Sequence, residues 1–241
     1  MGSALQAMAV IPSVEALVID TVLVPGGPFA MGSLDGRPDE QPVRQMTVAA
    51  FRLGRTPVSN AQYAPFLTEG HLAETPPWWR HPAFAASDQP VVGVTWFEAV
   101  AFAAWLGQGL GGFWRLPTEA EWERAMRGGR EGAPTCWGSA IPLGEVPEGP
   151  IVGPWPLGRG TPNGFGLCDP GTVVHEWCLD PYGPYDDMAV VVEAKDHPER
   201  RSSRGGSWRH RQRWSPPSAR SSLPPAMRYA DYGFRVLREE A

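Results

Sequence analysis

The stretch Arg115-Leu116-Pro117-Thr118-Glu119-Ala120-Glu121-Trp122-Glu123 says most about the fold of this chain. Thr118 and Glu121, three residues apart, form the signature of a capping box, in which each side chain accepts a hydrogen bond from the backbone N–H of the other residue. We therefore predict that a helix begins at Thr118 and runs to Arg127. We expect the Trp122 side chain to fill the core, because a large aromatic gains most from burial.

Two more capping signatures lie upstream of this stretch. Ser59 with Gln62 opens a predicted helix that covers residues 59–67. Thr95 with Glu98 opens another predicted helix. The apolar face of this helix consists of Phe97, Val100, Ala101, Ala104 and Trp105, and its predicted stop signals are Gly107 and Gly109.

Strands are predicted on both sides of these helices. Residues 22–33 contain two apolar segments joined by Pro25-Gly26-Gly27, which predicts a hairpin. The alternation from Val43 to Leu53 predicts one further strand. Beyond Gly128, short strands alternate with long loops up to Ala241. Loops of this length are unusual unless they are functional or firmly packed, so we expect the binding surface in this half.

The composition indicates one ordered domain. The 241 residues include 28 Gly, 27 Pro and 11 Trp, and only 20% are charged, which is typical of ordered loops around an aromatic core. We predict an N-terminal extension over residues 1–20 and a single domain over residues 21–241. The net charge of −5 argues against nucleic acid as the partner.

The cysteines and the N-terminus predict a cytoplasmic protein without a membrane anchor. Cys136, Cys168 and Cys178 form no CxxC pair, and an odd count fits buried free thiols in a reducing compartment. Residues 1–20 have neither the basic region nor the long apolar region of a signal peptide.

Several segments, in this order, resemble the formylglycine-generating enzyme (sulfatase-modifying factor) family. They are Pro25-Gly26-Gly27 to Met31-Gly32-Ser33, Pro57-Val58-Ser59-Asn60, Pro90 to Trp96, Arg115 to Glu123, Asn163 to Asp169, Glu176 to Asp180, Arg204-Gly205-Gly206-Ser207-Trp208 and Gly233 to Val236. The resemblance implies an α+β, C-type lectin-like fold with few helices, short strands and many long ordered loops. It also implies that Trp96, Trp122, Trp177 and Trp208 fill the core and that the Gly205-Gly206 pair allows close backbone approach.

The catalytic cysteines that the resemblance implies are missing. Enzymes of this family oxidise a substrate cysteine with oxygen and copper, using two cysteines shortly after the Gly-Gly-Ser-aromatic motif. Here the stretch after Ser207 holds no cysteine, and none follows Cys178. A copper(I) dithiolate therefore cannot form there. His210 stands near the position of the first cysteine, and we expect it to be an ordinary surface histidine, so no catalytic residue is assigned.

No metal or cofactor is predicted either. The resemblance implies a structural calcium around Asp169 to Trp177, but Val173 has no side-chain oxygen and only Glu176 could still bind, which argues against calcium there. His175 and Glu176 are interpreted as packing and surface residues. The five histidines show neither i, i+4 spacing nor a two-His-one-carboxylate pattern. An active site assembled from distant residues stays open.

The C-terminal segment is the predicted binding surface. In its position near the C-terminus and in the family motifs that flank it, the segment resembles the variable region of diversity-generating retroelement proteins. Those proteins bind ligands without catalytic cysteines. The predicted ligand-binding residues are Arg209, His210, Arg211, Arg213, Trp214, Ser221, Ser222, Leu223, Tyr229, Ala230, Asp231 and Tyr232, of the types that dominate binding hot spots. We expect a non-catalytic protein whose partner is a protein or another ligand.

Three alternatives compete with this interpretation. The chain could be an oxidoreductase of the family that uses another metal site, since nearly all framework motifs are retained. The segment could also be an ordinary C-terminal core hairpin whose arginines satisfy buried carbonyls. Nucleic-acid binding through the arginines from Arg200 to Arg213 is the weakest alternative, because the domain is acidic overall.

Overall fold

The structure is a computed structural model, and it describes residues 13–69, 74–145, 151–185, 200–210 and 216–240. The strands in these ranges are β1 Thr21–Val24, β2 Gly27–Met31, β3 Arg44–Val48, β4 Phe51–Gly54, β5 Trp114–Arg115, β6 His175–Pro181, β7 Arg201–Arg204, β8 Arg220–Leu223, β9 Tyr232–Gly233 and β10 Leu237–Glu239. The α-helices are α1 Asn60–Glu69, α2 Trp96–Leu110 and α3 Glu119–Arg127, and single 3-10 turns occur at Val14–Ala16 and Pro38–Glu40. In the described ranges no helix combines the length and the hydropathy that a membrane span needs.

Few helices, short strands and long connections confirm the predicted α+β class. One four-stranded sheet has the order β1-β4-β10-β5, so the last strand of the chain lies between two early ones. A second four-stranded sheet has the order β8-β7-β6-β9, in which β9 runs parallel to β6. A separate two-stranded sheet pairs β2 with β3. The second four-stranded sheet carries the C-terminal residues on which the site is built.

The predicted hairpin over residues 22–33 is wrong in its pairing. β1 pairs with β4, and β2 pairs with β3, so both segments run antiparallel to the region predicted as the single strand Val43 to Leu53. That region is itself interrupted at Ala49 and Ala50. The reason is a close backbone crossing, because a Cβ on Gly26 would stand 2.7 Å from the Ala50 nitrogen. The chain therefore bends at Pro25-Gly26, between one strand that pairs with β4 and one that pairs with β3. The sequence pattern predicts a tight turn between two strands that pair with each other.

The helix starts agree with the capping predictions. All three predicted pairs exchange reciprocal hydrogen bonds, namely Ser59 with Gln62, Thr95 with Glu98 and Thr118 with Glu121. The predicted end of α2 was wrong, since the helix runs on to Leu110 and stops at Gly111, whose φ is 71°. Gly109 serves packing instead, because a Cβ there would lie 2.2 Å from Val14.

Tryptophans fill the core between the sheets and helices. Trp122 and Trp177 are fully buried and Trp208 is 9% exposed, as predicted. Trp96 is only partly buried, and its Nε1 donates to the carbonyl oxygen of Cys178 at 2.8 Å. The backbone position of Gly205 depends on glycine, because a Cβ there would lie 2.7 Å from the Gly171 Cα.

A buried ion network ties α3 to the C-terminal sheet. The Glu119 carboxylate accepts two hydrogen bonds from Arg220, both 2.7 Å, and one from Arg204 at 3.1 Å. Arg204 also pairs with Glu123. Burial alone would raise the pKa of Glu119, but hydrogen bonds and charge from the two arginines lower it. The network fixes β7 and β8, and β8 contributes residues to the cavity of the candidate site.

Candidate functional site

A cavity of about 660 Å³ lies between the β2–β3 connection and the C-terminal strands. Arg37 lines it from the connection, His175 from the start of β6 and Ser221 from β8. Gly205, next to the end of β7, and His210 belong to the same wall. The cavity therefore combines residues that are far apart in the sequence.

His175 is the buried histidine of this cavity wall, and a hydrogen bond from one of its ring nitrogens leaves the other nitrogen with a free lone pair. It is the first residue of β6, where it pairs with Tyr232 of β9. Its ring Nδ1 lies 2.8 Å from the carbonyl oxygen of Gly205. A carbonyl oxygen only accepts, so Nδ1 carries the hydrogen and Nε2 keeps a free lone pair. Burial lowers the pKa of His175 to about 4, against the opposing effect of Asp231, so the imidazole is neutral at pH 7.

His210 and Asp231 join His175 in what we call the His-His-Asp cluster. The potential ligand atoms of the three side chains all lie within 4.8 Å of one another, and the two imidazole ring centres are 4.9 Å apart. Asp231 is buried, and His210 is the more exposed of the two histidines. The backbone N–H of His175 donates to the Asp231 carbonyl oxygen at 2.9 Å, and that of His210 donates to the Ser207 carbonyl oxygen at 2.9 Å.

Ser207 connects the other two members of the cluster. Its Oγ donates to Asp231 Oδ2 at 3.0 Å and lies 3.4 Å from Nδ1 of His210. In a hydrolytic triad the carboxylate binds the histidine, which in turn binds the serine. Here the serine donates directly to the carboxylate and is fully buried. Ser207 is therefore a positioning residue for the cluster and lacks the arrangement of a nucleophile.

Tyr232 packs behind the cluster. Its ring centre lies 4.8 Å from that of His175, and its hydroxyl is 2.9 Å from Ser221 Oγ. Burial raises the pKa of Tyr232 above its usual value, so the phenol stays protonated at neutral pH. Ser221 lines the cavity, and a single hydrogen bond thus links the buried phenol to the cavity wall.

The residues predicted to bind a ligand have different environments. Arg211, Arg213 and Trp214 lie outside the described residues. The buried ones are Ala230, Asp231 and Tyr232, and the exposed or half-buried ones are Arg209, His210, Ser221, Ser222, Leu223 and Tyr229. Of the nine that the structure describes, His210 and Ser221 line the cavity. Arg209 Nε lies 3.6 Å from Asp231 Oδ2.

Sequence reasoning missed the clustering of His175 and His210 with Asp231. The sequence predicts a packing or surface role for His175 and an ordinary surface position for His210, yet the fold brings the two together. His71 and His197 lie outside the described residues, and His81 packs on Phe84 away from the cluster. One signal could have found the pair, because His175 and His210 both stand where the sequence departs from the family motifs.

The carboxylate of Glu176, the remaining candidate ligand for the calcium that the family resemblance implies, is occupied by internal partners. Glu176 Oε2 accepts from Trp122 Nε1 at 2.7 Å and from Arg235 Nε at 2.7 Å, and its Oε1 accepts from Arg235 at 3.0 Å. Val173 is fully buried. The carboxylate of Glu176 therefore holds the core together and has no free oxygen facing solvent.

The amino-acid sequence is similar to known proteins of one family. The chain matches the model of the sulfatase-modifying factor enzyme 1-like domain over residues 8–240. It is 30% identical to a formylglycine-generating enzyme from Mycobacterium tuberculosis, over 92% of this chain and 99% of that protein. It is 31% identical to hercynine oxygenase from Mycolicibacterium smegmatis, over 78% of this chain, and 30% identical to a serine/threonine-protein kinase, pkn1, from Chlamydia pneumoniae, over 94% of it. The match spans only 54% of the oxygenase and 39% of the kinase.

Two solved structures share the fold. PvdO from Pseudomonas aeruginosa superposes with a TM-score of 0.76 at 28% identity, covering 91% of this chain and 94% of that one. Treponema denticola variable protein 1 superposes with a TM-score of 0.72 at 20% identity, covering 91% of this chain and 95% of that one. At that identity the second likeness concerns the fold alone.

Proposed function

The chain belongs to the sulfatase-modifying factor family, and we propose that it is a metal-dependent oxidoreductase of that family in which His175, His210 and Asp231 bind one divalent ion. The observation that carries the proposal is the approach of the three side chains to within 4.8 Å. Two imidazoles and one carboxylate leave coordination positions open, and this donor set is typical of non-haem iron(II) oxygenases. The adjoining cavity gives a small-molecule substrate access to those positions.

The donor atoms suit such an ion. The Gly205 carbonyl fixes the His175 tautomer, as the second partner of a metal-bound histidine usually does. Ser207 holds one carboxylate oxygen of Asp231 and leaves Oδ1 for the metal. Bonds of about 2.1 Å place neighbouring ligands roughly 3 Å apart, so the side chains need to close by only an ångström or two. His210, the most exposed of the three, has the freedom to do so.

Thiolate chemistry is not available to this site. The three cysteines are free and buried, and none follows Cys178 in the sequence. Burial raises the pKa of Cys136 to about 12 and that of Cys178 well above its usual value, so the thiols of Cys136 and Cys178 stay protonated at neutral pH. The oxidation chemistry of this family would therefore use nitrogen and oxygen donors in this chain.

When bound, the ion would supply the redox and Lewis-acid chemistry, and the chain's own residues would position it. Ser207 and the Gly205 carbonyl orient the ligands, and the buried Tyr232 shields one side of His175 from water. The cavity wall would then bind the substrate next to the open positions. Metal sites in enzymes are typically arranged in this way, with the ion supplying the chemistry and the surrounding residues fixing the ligands.

Metal titration tests the proposal. Protein stripped with a chelator and titrated anaerobically with iron(II), and separately with cobalt(II) to read its visible spectrum, should bind one ion per chain. His175→Gln and Asp231→Asn should each weaken binding at least tenfold. His81→Gln is the matched control, because His81 packs on Phe84 outside the cluster. Substoichiometric binding, or equal affinity in all variants, would contradict the proposal.

Ligand binding without catalysis is the second candidate. Ligand binding is favoured by two exposed residues of the predicted C-terminal binding surface, Arg209 and Tyr229. The missing cysteine pair also favours it. Under this proposal the face binds a protein or another ligand and could be diversified by a retroelement. A near-copy of the codons for Ser203 to Val236 downstream of the gene, differing mainly at adenines, would support diversification. Absence of such a copy, together with stoichiometric metal, would rule it out.

A further inference from the structure

We propose that the substrate of this site carries a carboxylate group and that Arg37 binds this group. The inference rests on the proposed function, since it names the substrate class of the same cavity. It starts from the position of Arg37, which lines the cavity together with His175 and His210. Arg37 and the two histidines of the His-His-Asp cluster therefore face the same cavity.

Arg37 is held rigidly by neighbours on its own loop. Its Nε lies 3.2 Å from Glu40 Oε1 and its Nη2 lies 3.2 Å from Asp39 Oδ2. Nη2 also donates to the Arg220 carbonyl oxygen. Ser218 donates to the other oxygen of Glu40 at 2.7 Å, so the partners of the guanidinium are themselves fixed.

The guanidinium nevertheless keeps donors free for a ligand. The hydrogen bonds of Arg37 within the described part of the chain use Nε and Nη2, which leaves Nη1 available. The side chain is 51% exposed. An arginine that is already immobilised loses little conformational freedom when it binds a planar anion, and its geometry suits a carboxylate. Arg220, the other arginine of the wall, is committed to Glu119 through both Nε and Nη2.

The remaining lining selects for a polar ligand of low charge. Among the described lining residues, Pro216 and Ala219 supply the apolar side chains, and neither aromatic nor branched aliphatic groups are present. Typical apolar pockets bind through such groups, so here charge and hydrogen bonds must provide the affinity. Asp35 and Glu40 line the same wall. Their negative charges disfavour a phosphate dianion, whereas a single carboxylate can pair with Arg37.

Calorimetric titration with three simple probes tests the inference. Butyrate, a monocarboxylate, should bind to the metal-loaded protein, and butyramide and inorganic phosphate should bind at least tenfold more weakly. Arg37→Gln should reduce butyrate affinity at least tenfold, and Arg37→Lys should retain part of it because the charge remains. Arg159→Gln is the matched control, because Arg159 is 70% exposed and pairs with Asp88. Metal affinity should be unchanged in Arg37→Lys and Arg159→Gln, and it should not fall in Arg37→Gln, which removes a positive charge from the cavity of the cluster.

The controls separate a binding role of Arg37 from a structural one. A role confined to fastening the loop would lower the melting temperature of Arg37→Gln and leave the butyrate affinity of the folded protein unchanged, and that result overturns the inference. Equal binding of butyrate and butyramide, or no butyrate binding at millimolar concentration, also overturns it. Repeating the titration without metal distinguishes the two proposals. Arg37-dependent butyrate binding in a protein that binds no metal would refute the metal centre alone.

Discussion

The Nδ1 atom of His175 donates a hydrogen bond to the carbonyl oxygen of Gly205 at 2.8 Å. This contact selects the tautomer that leaves Nε2 free, and so decides whether the imidazole can act as a ligand. The carbonyl is in place because Gly205 adopts a φ of 76° and packs so closely on Gly171 that a Cβ would lie 2.7 Å from the Gly171 Cα. A glycine of the family framework thereby orients a histidine that the family motifs do not predict.

We predict that Gly205→Ala weakens both the fold and the metal site. The new Cβ would stand 2.7 Å from the Gly171 Cα and 3.1 Å from Trp122, so the carbonyl oxygen must move away from His175. We expect a loss of about 2 to 4 kcal/mol in the free energy of unfolding and a metal affinity lowered at least tenfold. Gly132→Ala is the control, because Gly132 has a φ of 67° with no atom near the added Cβ. Urea unfolding and metal titration of both variants measure the difference, and an equal loss in the two would refute the steric argument.

Ser207→Ala should impair metal binding more than stability. The variant loses the hydroxyl that holds Asp231 Oδ2, so the carboxylate becomes free to rotate. We expect metal affinity to fall by about 10- to 100-fold and the free energy of unfolding to fall by about 1 to 2 kcal/mol. Ser202→Ala is matched to it, since Ser202 Oγ donates to the buried carboxylate of Glu119 at 2.6 Å. That variant should lose similar stability and keep its metal affinity. An unchanged affinity in Ser207→Ala would show that Asp231 does not depend on the serine.

Arg209→Gln should strengthen metal binding by about two- to fivefold at low salt. Arg209 Nε lies 3.6 Å from Asp231 Oδ2, so its positive charge competes with a cation for the carboxylate. The effect is small because the arginine side chain is 50% exposed and solvent screens its charge. The gain should shrink when metal titrations are repeated at high salt. Arg52→Gln, which breaks a surface pair with Glu240, should change nothing. A weaker affinity in Arg209→Gln would mean that the arginine supports the site.

The ion network around Glu119 should make stability fall in acid. The folded pKa of Glu119 is lowered by Arg220 and Arg204, which outweigh its burial, whereas the unfolded carboxyl titrates near 4.3, its usual value. The stabilisation is therefore complete above about pH 4.3 and is lost as the pH falls through the folded pKa. Glu119→Gln should cost about 3 to 5 kcal/mol at pH 7, because two buried arginines lose their partner, and should flatten the acid slope. Urea unfolding from pH 7 to acid measures both, with the exposed Glu15→Gln as control. An unchanged slope would refute this assignment.

The parts of the fold that depend on neighbouring residues could be predicted from the sequence. Each capping pair joins residues three apart, so Thr118 and Glu121 define a helix start wherever the helix packs. The strand pairings could not be predicted in this way. Pro25-Gly26-Gly27 resembles a tight turn locally, but β1 pairs with β4, which lies many residues further along the chain. The close approach of Gly26 to Ala50, which separates β3 from β4, also belongs to no local sequence pattern.

The sequence by itself determined the family framework, the helix starts and the absence of the cysteine pair after Cys178, because each is a property of residue identity or of close spacing. Only the tertiary structure brought His175, His210 and Asp231 within 4.8 Å of one another. Their spacing along the chain follows neither helical nor strand periodicity. Their approach results from the pairing of β9 with β6 and from the turn that follows β7. The three residue types can be read from the sequence, but only long-range packing places them close enough to act together as ligands.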